Sequence, residues 1–220
     1  MKLRSGKYFS WALLFVGMLT ITSSCSNKYY KGFEPVVAEN VSPPRLFDTA
    51  FSKVVYETNF RVFNQELSGL TLVKKVKSTN SFHIVFMSQI GLKFFDIEIK
   101  PNETEDWFHV NFIMESLNRE FIVSTLKTDF MLLFSKYPEH AETGIFRNTE
   151  NEITETTVRF DKYISSIFTD RNNKITGIEL RKGRSVKTSI HITPGKEYPK
   201  ELDIHNKKGG MNLTWKEIRM

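Results

Sequence analysis

Alternation of apolar and polar residues with a period of two constrains the fold of this chain more than any other feature. Phe82, Ile84 and Phe86 form one such run, and Phe95, Ile97 and Ile99 form another. Successive side chains of a strand point to opposite faces, so each run predicts a half-buried β-strand. Similar runs, bounded by turn residues, predict strands at 60–63, 69–73, 82–87, 92–99, 107–114, 163–168, 175–180, 186–192, 201–204 and 211–215.

One segment has a helical period instead. Its apolar residues recur every three or four positions, as on one face of an amphipathic helix. They are Ile122, Leu126, Phe130, Leu133 and Phe134. We predict a helix of about 16 residues that begins at an Asn118 cap and ends at Tyr137-Pro138. Asp129, the acid in its middle, is interpreted as a solvated charge at the edge of the apolar stripe.

These elements predict the fold class. Residues 138–152 are mostly polar and are interpreted as a long loop. The apolar face of the helix has only the sheet to pack against. We therefore expect a mainly β (α+β) domain, in which a single strongly curved antiparallel sheet, or half-barrel, carries one main amphipathic helix packed across it.

The amino terminus has the features of an export signal. Lys2, Arg4 and Lys7 precede an apolar run at 9–22 that contains no charged residue. As a helix this run rises about 21 Å, short of the roughly 30 Å hydrocarbon core of a bilayer. Residues 1–24 are therefore predicted to be a signal peptide.

Cys25 is the only cysteine of the chain. Thr22-Ser23-Ser24-Cys25 resembles the lipobox of bacterial lipoproteins, and Ser26 after it resembles an outer-membrane address. The resemblance implies that the leader is cut before Cys25 and that Cys25 carries lipid, which would attach the protein firmly to a membrane. Residues 25–45 are interpreted as a lipid-anchored tether, and residues 46–220 as the folded domain.

Charge and motifs argue against several functions. The formal charge is +6, and the three leader charges account for half of it, which leaves too little for a nucleic-acid-binding surface. HExxH, GxSxG, P-loop and dinucleotide-binding motifs do not occur. Asp96 and Glu98 share a strand face, where a solvated surface is favoured over an acid–base pair. We expect a protein that is not an enzyme and has no metal site, cofactor or nucleic-acid partner.

Apolar residues at three loop positions need a different explanation. Ile90 lies at a predicted hairpin tip beside Gly91, and Ile145 and Phe146 lie in the predicted long loop. Such side chains either fold back onto the domain or contact a membrane or a partner. Both explanations remain open at this stage.

The order of elements resembles a known family. An acylated cysteine and a tether precede strands that include "LSGLTLVKKV" and "GLKFFDIEI", then a helix, and then the closing hairpin "YPKELDIHNKKGGMNLTWKEI". Over about residues 50–218 this pattern is similar to the LolA/LolB-type half-barrel proteins, in particular a LolB-like outer-membrane lipoprotein. The resemblance implies a periplasm-facing monomer whose concave apolar face holds the acyl chains of a lipoprotein or another lipid.

The resemblance also suggests where a ligand binds. Phe86, Phe95 and Phe130 are candidates for the concave face, and Ile90, Ile145 and Phe146 are candidates for loop contacts. Nineteen phenylalanines are compatible with a lipid cavity and equally with a filled aromatic core. Two alternatives therefore remain: a structural or accessory lipoprotein of an envelope complex without a ligand, and an envelope hydrolase.

Overall fold

One sheet of 13 strands makes up most of the structure, a computed structural model that describes residues 32–37, 41–47, 50–148 and 150–218. The strands are β1 (Phe33–Val36), β2 (Lys53–Val62), β3 (Gln65–Val76), β4 (Ser81–Met87), β5 (Lys93–Ile99), β6 (Phe108–Ile113), β7 (Glu142–Asn148), β8 (Ile153–Phe160), β9 (Tyr163–Thr169), β10 (Ile175–Lys182), β11 (Ser185–Thr193), β12 (Glu201–Asn206) and β13 (Met211–Glu217). The predicted signal peptide and Cys25 lie outside the described residues. The mainly β fold class is confirmed.

The strands follow one another across the sheet with a single break in chain order. The order is β1-β7-β8-β9-β10-β11-β12-β13-β2-β3-β4-β5-β6, so the sheet is open. From β7 to β6 every neighbouring pair is antiparallel. The pairing of the last strand, β13, with the first long strand, β2, joins the two halves of the chain in one sheet.

The helix of the described chain is α1, Glu120–Leu133. It is shorter than predicted at both ends. Asn118 is not its cap, because that residue ends a 3₁₀ turn at Glu115–Leu117 and the position before the helix belongs to Arg119. At the other end, Ser135 takes a positive φ of 51°, which stops the helix before Tyr137-Pro138.

The apolar stripe of α1 packs against the sheet. Ile122, Leu126, Phe130 and Leu133 are at most 1% exposed. The ring of Phe130 lies 6.4 Å from that of Phe95 on β5, and 6.3 Å from those of Phe108 on β6 and Trp215 on β13. Buried aromatic contacts of this kind supply most of the packing energy between helix and sheet. The predicted packing of the helix is therefore confirmed.

The predicted loop at 138–152 is wrong. Its central part forms β7, which pairs with β8, and β8 itself was not predicted. Ile145 faces Thr156 across this ladder and Phe146 faces Glu155, so both residues are half-buried strand residues and not loop residues. The segment lacks apolar alternation because its β-branched residues are threonines, and its strands are defined by pairing with each other.

Part of the expected tether packs against the domain. Phe47 is 4% exposed, and its ring stacks on Phe134 at 5.1 Å. The Ser135 hydroxyl donates to the carbonyl oxygen of Pro44 at 2.8 Å. The strand β1 also lies within residues 25–45. Within the described ranges, no helix has both the length and the hydrophobicity that a membrane span requires.

Candidate functional site

A cavity of about 610 Å³ separates the outer side of α1 from strands β8 to β12. Its volume lies within the range of about 300–1,000 Å³ that is usual for small-molecule sites. Phe121 and Met131 of the helix form one apolar wall, and Phe160 and Leu180 of the sheet form the other. Tyr163 completes the sheet wall, where its ring stacks on Phe160 at 5.8 Å.

The floor of the cavity is polar. Thr188 donates from Oγ1 to Oδ1 of Asn206 at 2.7 Å, and Asn206 donates from Nδ2 to Oδ2 of Asp129 at 2.9 Å. Thr188 and Asn206 line the cavity, whereas Asp129 lies behind them and is fully buried. No described group is hydrogen-bonded to Oδ1 of Asp129. A buried polar atom without a partner is costly, so the network marks a place where the fold gives up stability.

Burial raises the pKa of the Asp129 carboxyl to about 8, against the opposing effect of the hydrogen bond from Asn206. At neutral pH the group is therefore mostly protonated and uncharged. The sequence interpretation of Asp129 as a solvated charge is wrong. Its position contained the signal, because Asp129 lies seven residues after Ile122 and four before Leu133, on the buried stripe itself.

The phenylalanines predicted to contact a ligand fill the core. Phe86, Phe95 and Phe130 are each 0% exposed, and none of them lines the cavity. Phe86 and Phe95 lie 5.4 Å apart, and Phe60 packs edge-on against both. The half of the sheet from β2 to β5 is therefore a packed aromatic core, whereas the cavity lies on the other half.

Ile90 lies where the sequence places it, at the tip of the hairpin between β4 and β5. Its side chain is 93% exposed, and Leu92 beside it is 56% exposed. The turn is held by its own hydrogen bonds: the Gly91 amide donates to the Ser88 carbonyl oxygen at 3.0 Å, and the Ser88 amide donates to the Leu92 carbonyl oxygen at 2.8 Å. Gly91 has a φ of 86°, which suits glycine. The turn thus presents two apolar side chains to solvent instead of folding them back.

The cavity and the Ile90 hairpin lie toward the same end of the sheet. From β7 to β6 all neighbours are antiparallel, so even-numbered strands run in one direction and the turns after them share one end. We call this the turn end; it comprises residues 63–64, 88–92, 161–162, 183–184 and 207–210. Tyr163, Lys182 and Lys208, which line the cavity, lie within or next to these turns.

The carboxylate pair of the hydrolase alternative lies elsewhere. Asp96 accepts hydrogen bonds from Lys93 at 2.9 Å and from Asn111 at 3.1 Å. Glu98 lies 3.5 Å from His83. Neither acid lines the cavity, and within the described residues no cluster of histidine and acidic side chains is arranged to hold a metal ion.

Comparison with known proteins gives little beyond this geometry. No protein-family model matches the chain, and no similar sequence is found among curated proteins. Among solved structures, the chain is similar to a candidate outer membrane lipoprotein-sorting protein domain from Vibrio parahaemolyticus. The TM-score is 0.44 at 7% identity, over 78% of this chain and 86% of that one. The LolA/LolB resemblance therefore stays a prediction.

Proposed function

We propose that this protein is a lipid-anchored binding protein of the bacterial envelope that holds acyl chains in the cavity between α1 and strands β8 to β12. The observation that carries the proposal is the cavity itself, about 610 Å³ with apolar walls from Phe121, Met131, Phe160 and Leu180. An acyl chain placed there leaves water and gains about 25 cal/mol for each Å² of apolar surface buried. The ligand is a lipoprotein or another lipid.

We infer that the sheet curls around α1 as a half-barrel. The helix contacts β6 through Phe108, yet Met131 of the same helix shares the cavity with Phe160 of β8. Ten strand intervals separate β8 from β6 in the sheet order. At about 4.8 Å for each interval a flat sheet would separate them by roughly 48 Å, far more than the roughly 10–12 Å width of a helix. Curvature brings both strands within reach.

The proposed location is the periplasmic side of the outer membrane, with acylated Cys25 as the anchor. The lipobox-like sequence and the apolar leader support it. The Ile90 hairpin supports a function at a membrane or with a lipidated partner, because Ile90 and Leu92 are exposed apolar residues at the turn end. An apolar tip of this kind can enter the interfacial region of a bilayer or the ligand-binding face of a partner.

A second candidate function is a structural lipoprotein of an envelope complex without a ligand. The packed core of Phe60, Phe86, Phe95 and Phe130 favours it, because these aromatic residues leave no space for a ligand beneath that half of the sheet. The two functions differ in what the cavity on the other half does. The test is therefore directed at the cavity.

The test is to purify the chain from cells and identify bound molecules by native mass spectrometry and lipid extraction. We expect acyl-bearing molecules on the wild-type protein and their loss from Thr128→Trp, which places an indole in the cavity from the helix wall. Ser78→Trp adds the same indole at an exposed turn outside the cavity lining; it is the control and should retain them. A wild-type protein without lipid, equal to Thr128→Trp, would contradict the proposal and favour the structural function.

A further inference from the structure

Four lysines line the cavity: Lys182, Lys187, Lys207 and Lys208. The lining contains no aspartate or glutamate. Within the described part of the chain, none of the four forms an ion pair. The protein as a whole is only moderately basic, with 31 Lys and Arg against 25 Asp and Glu. A cavity bordered by one sign of charge focuses its field on whatever enters it.

The fold directs one of these lysines to the cavity by an irregularity. Leu180 pairs with Thr188, and the next residue, Arg181, pairs with Val186, so Lys187 is the extra residue of a β-bulge. Regular alternation would place the neighbours of Thr188 on the opposite face, whereas a bulge redirects a side chain. Lys187 is half-buried and lines the cavity together with Thr188.

The other three lysines border the opening at the turn end. Lys182 ends β10, and Lys207 and Lys208 lie in the turn between β12 and β13. All three are exposed. The ammonium nitrogen of Lys208 lies 5.9 Å from the ring centroid of Phe121, which places a positive charge beside the apolar wall. The site thus has a charged opening next to an apolar interior.

The hydroxyl groups of the cavity leave the lysines as its main hydrogen-bond donors. Thr125 donates to the Phe121 carbonyl oxygen at 2.8 Å, and Thr128 donates to the Ser124 carbonyl oxygen at 2.9 Å. Ser124 and Thr188 also donate within the protein, to Phe121 and Asn206. A polar group arriving at the opening therefore meets ammonium donors, which bind anionic oxygens well and pair poorly with cations.

We propose that the ligand of this cavity is an anionic amphiphile, whose phosphate or carboxylate group binds among Lys182, Lys187, Lys207 and Lys208 while its acyl chain lies against Phe121, Met131, Phe160 and Leu180. This inference rests on the proposed acyl-chain function and adds the charge of the headgroup. Lysine suits the role because its flexible stem and compact charge adapt to headgroups of different geometry.

The experiment compares amphiphiles that have the same chain and different headgroups. The chain purified from cells, in phosphatidylcholine nanodiscs, is incubated with dodecyl phosphate, dodecylphosphocholine and dodecanol, and bound molecules are counted by native mass spectrometry. We expect dodecyl phosphate to bind at least about tenfold more tightly than dodecylphosphocholine, the sum of four modest charge interactions. Equal binding of the two would overturn the inference.

Variants assign the preference to the four lysines. Replacing all four by glutamine should remove the preference for dodecyl phosphate and leave dodecanol binding unchanged. The control replaces four exposed lysines at the opposite end of the strands, Lys53, Lys74, Lys77 and Lys216, and should bind as wild type does. Glutamate at the four cavity positions should reverse the preference toward dodecylamine, and circular dichroism should show that each variant is folded. A preference that the control removes equally would overturn the inference.

Three further outcomes separate the possible sources of error. If inorganic phosphate binds as tightly as dodecyl phosphate, the site takes a soluble anion and the inference is wrong. If the glutamine variant loses only its binding to phosphatidylglycerol vesicles, the lysines contact a membrane surface and the inference is wrong. If dodecanol binds and Thr128→Trp blocks it but headgroup charge has no effect, the proposed function stands without the inference, whereas binding of none of the amphiphiles contradicts both.

Discussion

At the scale of single residues, Asp129 is the most unusual group of the described chain. It is fully buried, its Oδ2 accepts one hydrogen bond from Asn206, and its pKa is raised to about 8 from an ordinary value of 3.8. The folded state therefore binds a proton more tightly than the unfolded state does. The contribution of Asp129 to stability is complete below pH 3.8 and is lost as pH rises toward 8.

We expect Asp129→Asn to stabilise the protein at pH 8 and to flatten the fall in stability between about pH 4 and pH 8. Each unit between the two pKa values weighs about 1.36 kcal/mol, so the gain at pH 8 should be on the order of several kcal/mol. Asparagine keeps the acceptor for Asn206 and cannot ionise. Urea denaturation across this pH range measures the effect, and Asp106→Asn, an exposed acid, is the control. A pH slope identical to that of wild type would refute the buried, protonated state.

Ile90 gives the second prediction at this scale. Because its side chain is 93% exposed, Ile90→Glu should leave the melting temperature unchanged while weakening binding to lipid vesicles in a flotation assay. Val37→Glu, at a residue 98% exposed outside this hairpin, is the matched control for both measurements. A lowered melting temperature would mean that Ile90 folds inward, and unchanged melting with full vesicle binding would exclude the contact function.

At the scale of elements, α1 has two sides with different tasks. Its stripe of Ile122, Leu126, Phe130 and Leu133 is buried against the sheet. Its other side, with Ser124, Thr125, Thr128 and Met131, forms a wall of the cavity. The helix therefore belongs to the core and to the candidate site at once, and substitutions on its two sides should have different effects.

Phe130→Ala should lower the free energy of unfolding by about 3–5 kcal/mol, because the ring is fully buried among Phe95, Phe108 and Trp215. Phe63→Ala, at a ring 53% exposed, should cost no more than about 1 kcal/mol. Both values come from urea denaturation. Similar losses for the two variants would show that the stripe of α1 is not packed as described.

At the scale of the whole molecule, the proposed anchor and the candidate site serve one process. An acylated Cys25 would hold the protein at a membrane, and the turn end would present the Ile90 hairpin and the opening of the cavity to the same surroundings. A ligand could then move between membrane and cavity without crossing bulk water, where exposed acyl chains are unfavourable.

Cys25→Ala should abolish lipid attachment, because no other thiol exists in the chain. Incorporation of labelled palmitate in cells measures it, and the processed size of the chain shows whether the leader is removed. Ser24→Ala keeps a small residue before the cysteine and should incorporate label as wild type does. Labelled Cys25→Ala protein would show that the anchor assignment is wrong.

Local patterns were enough to predict much of this fold. The alternation at 82–87 and 92–99 predicted β4 and β5 because one face of each strand is buried, and the three-four spacing from Ile122 to Leu133 predicted α1. Ile90 was placed at a hairpin tip because Gly91 follows it. Only tertiary structure decided the rest. Strands β7 and β8 exist through pairing with each other, since their polar threonines carry no alternation.

The position of the candidate site was also decided by long-range packing. The sequence predicted an apolar face, but the rings of Phe86, Phe95 and Phe130 contact one another and fill it. The cavity forms on the other half of the sheet, from helix and strand residues far apart in the chain. Lys187 faces it through a bulge, which depends on the register between β10 and β11. Alternation and spacing act over a few residues, so they determine elements; register, burial of Asp129 and the space left between helix and sheet depend on every element at once.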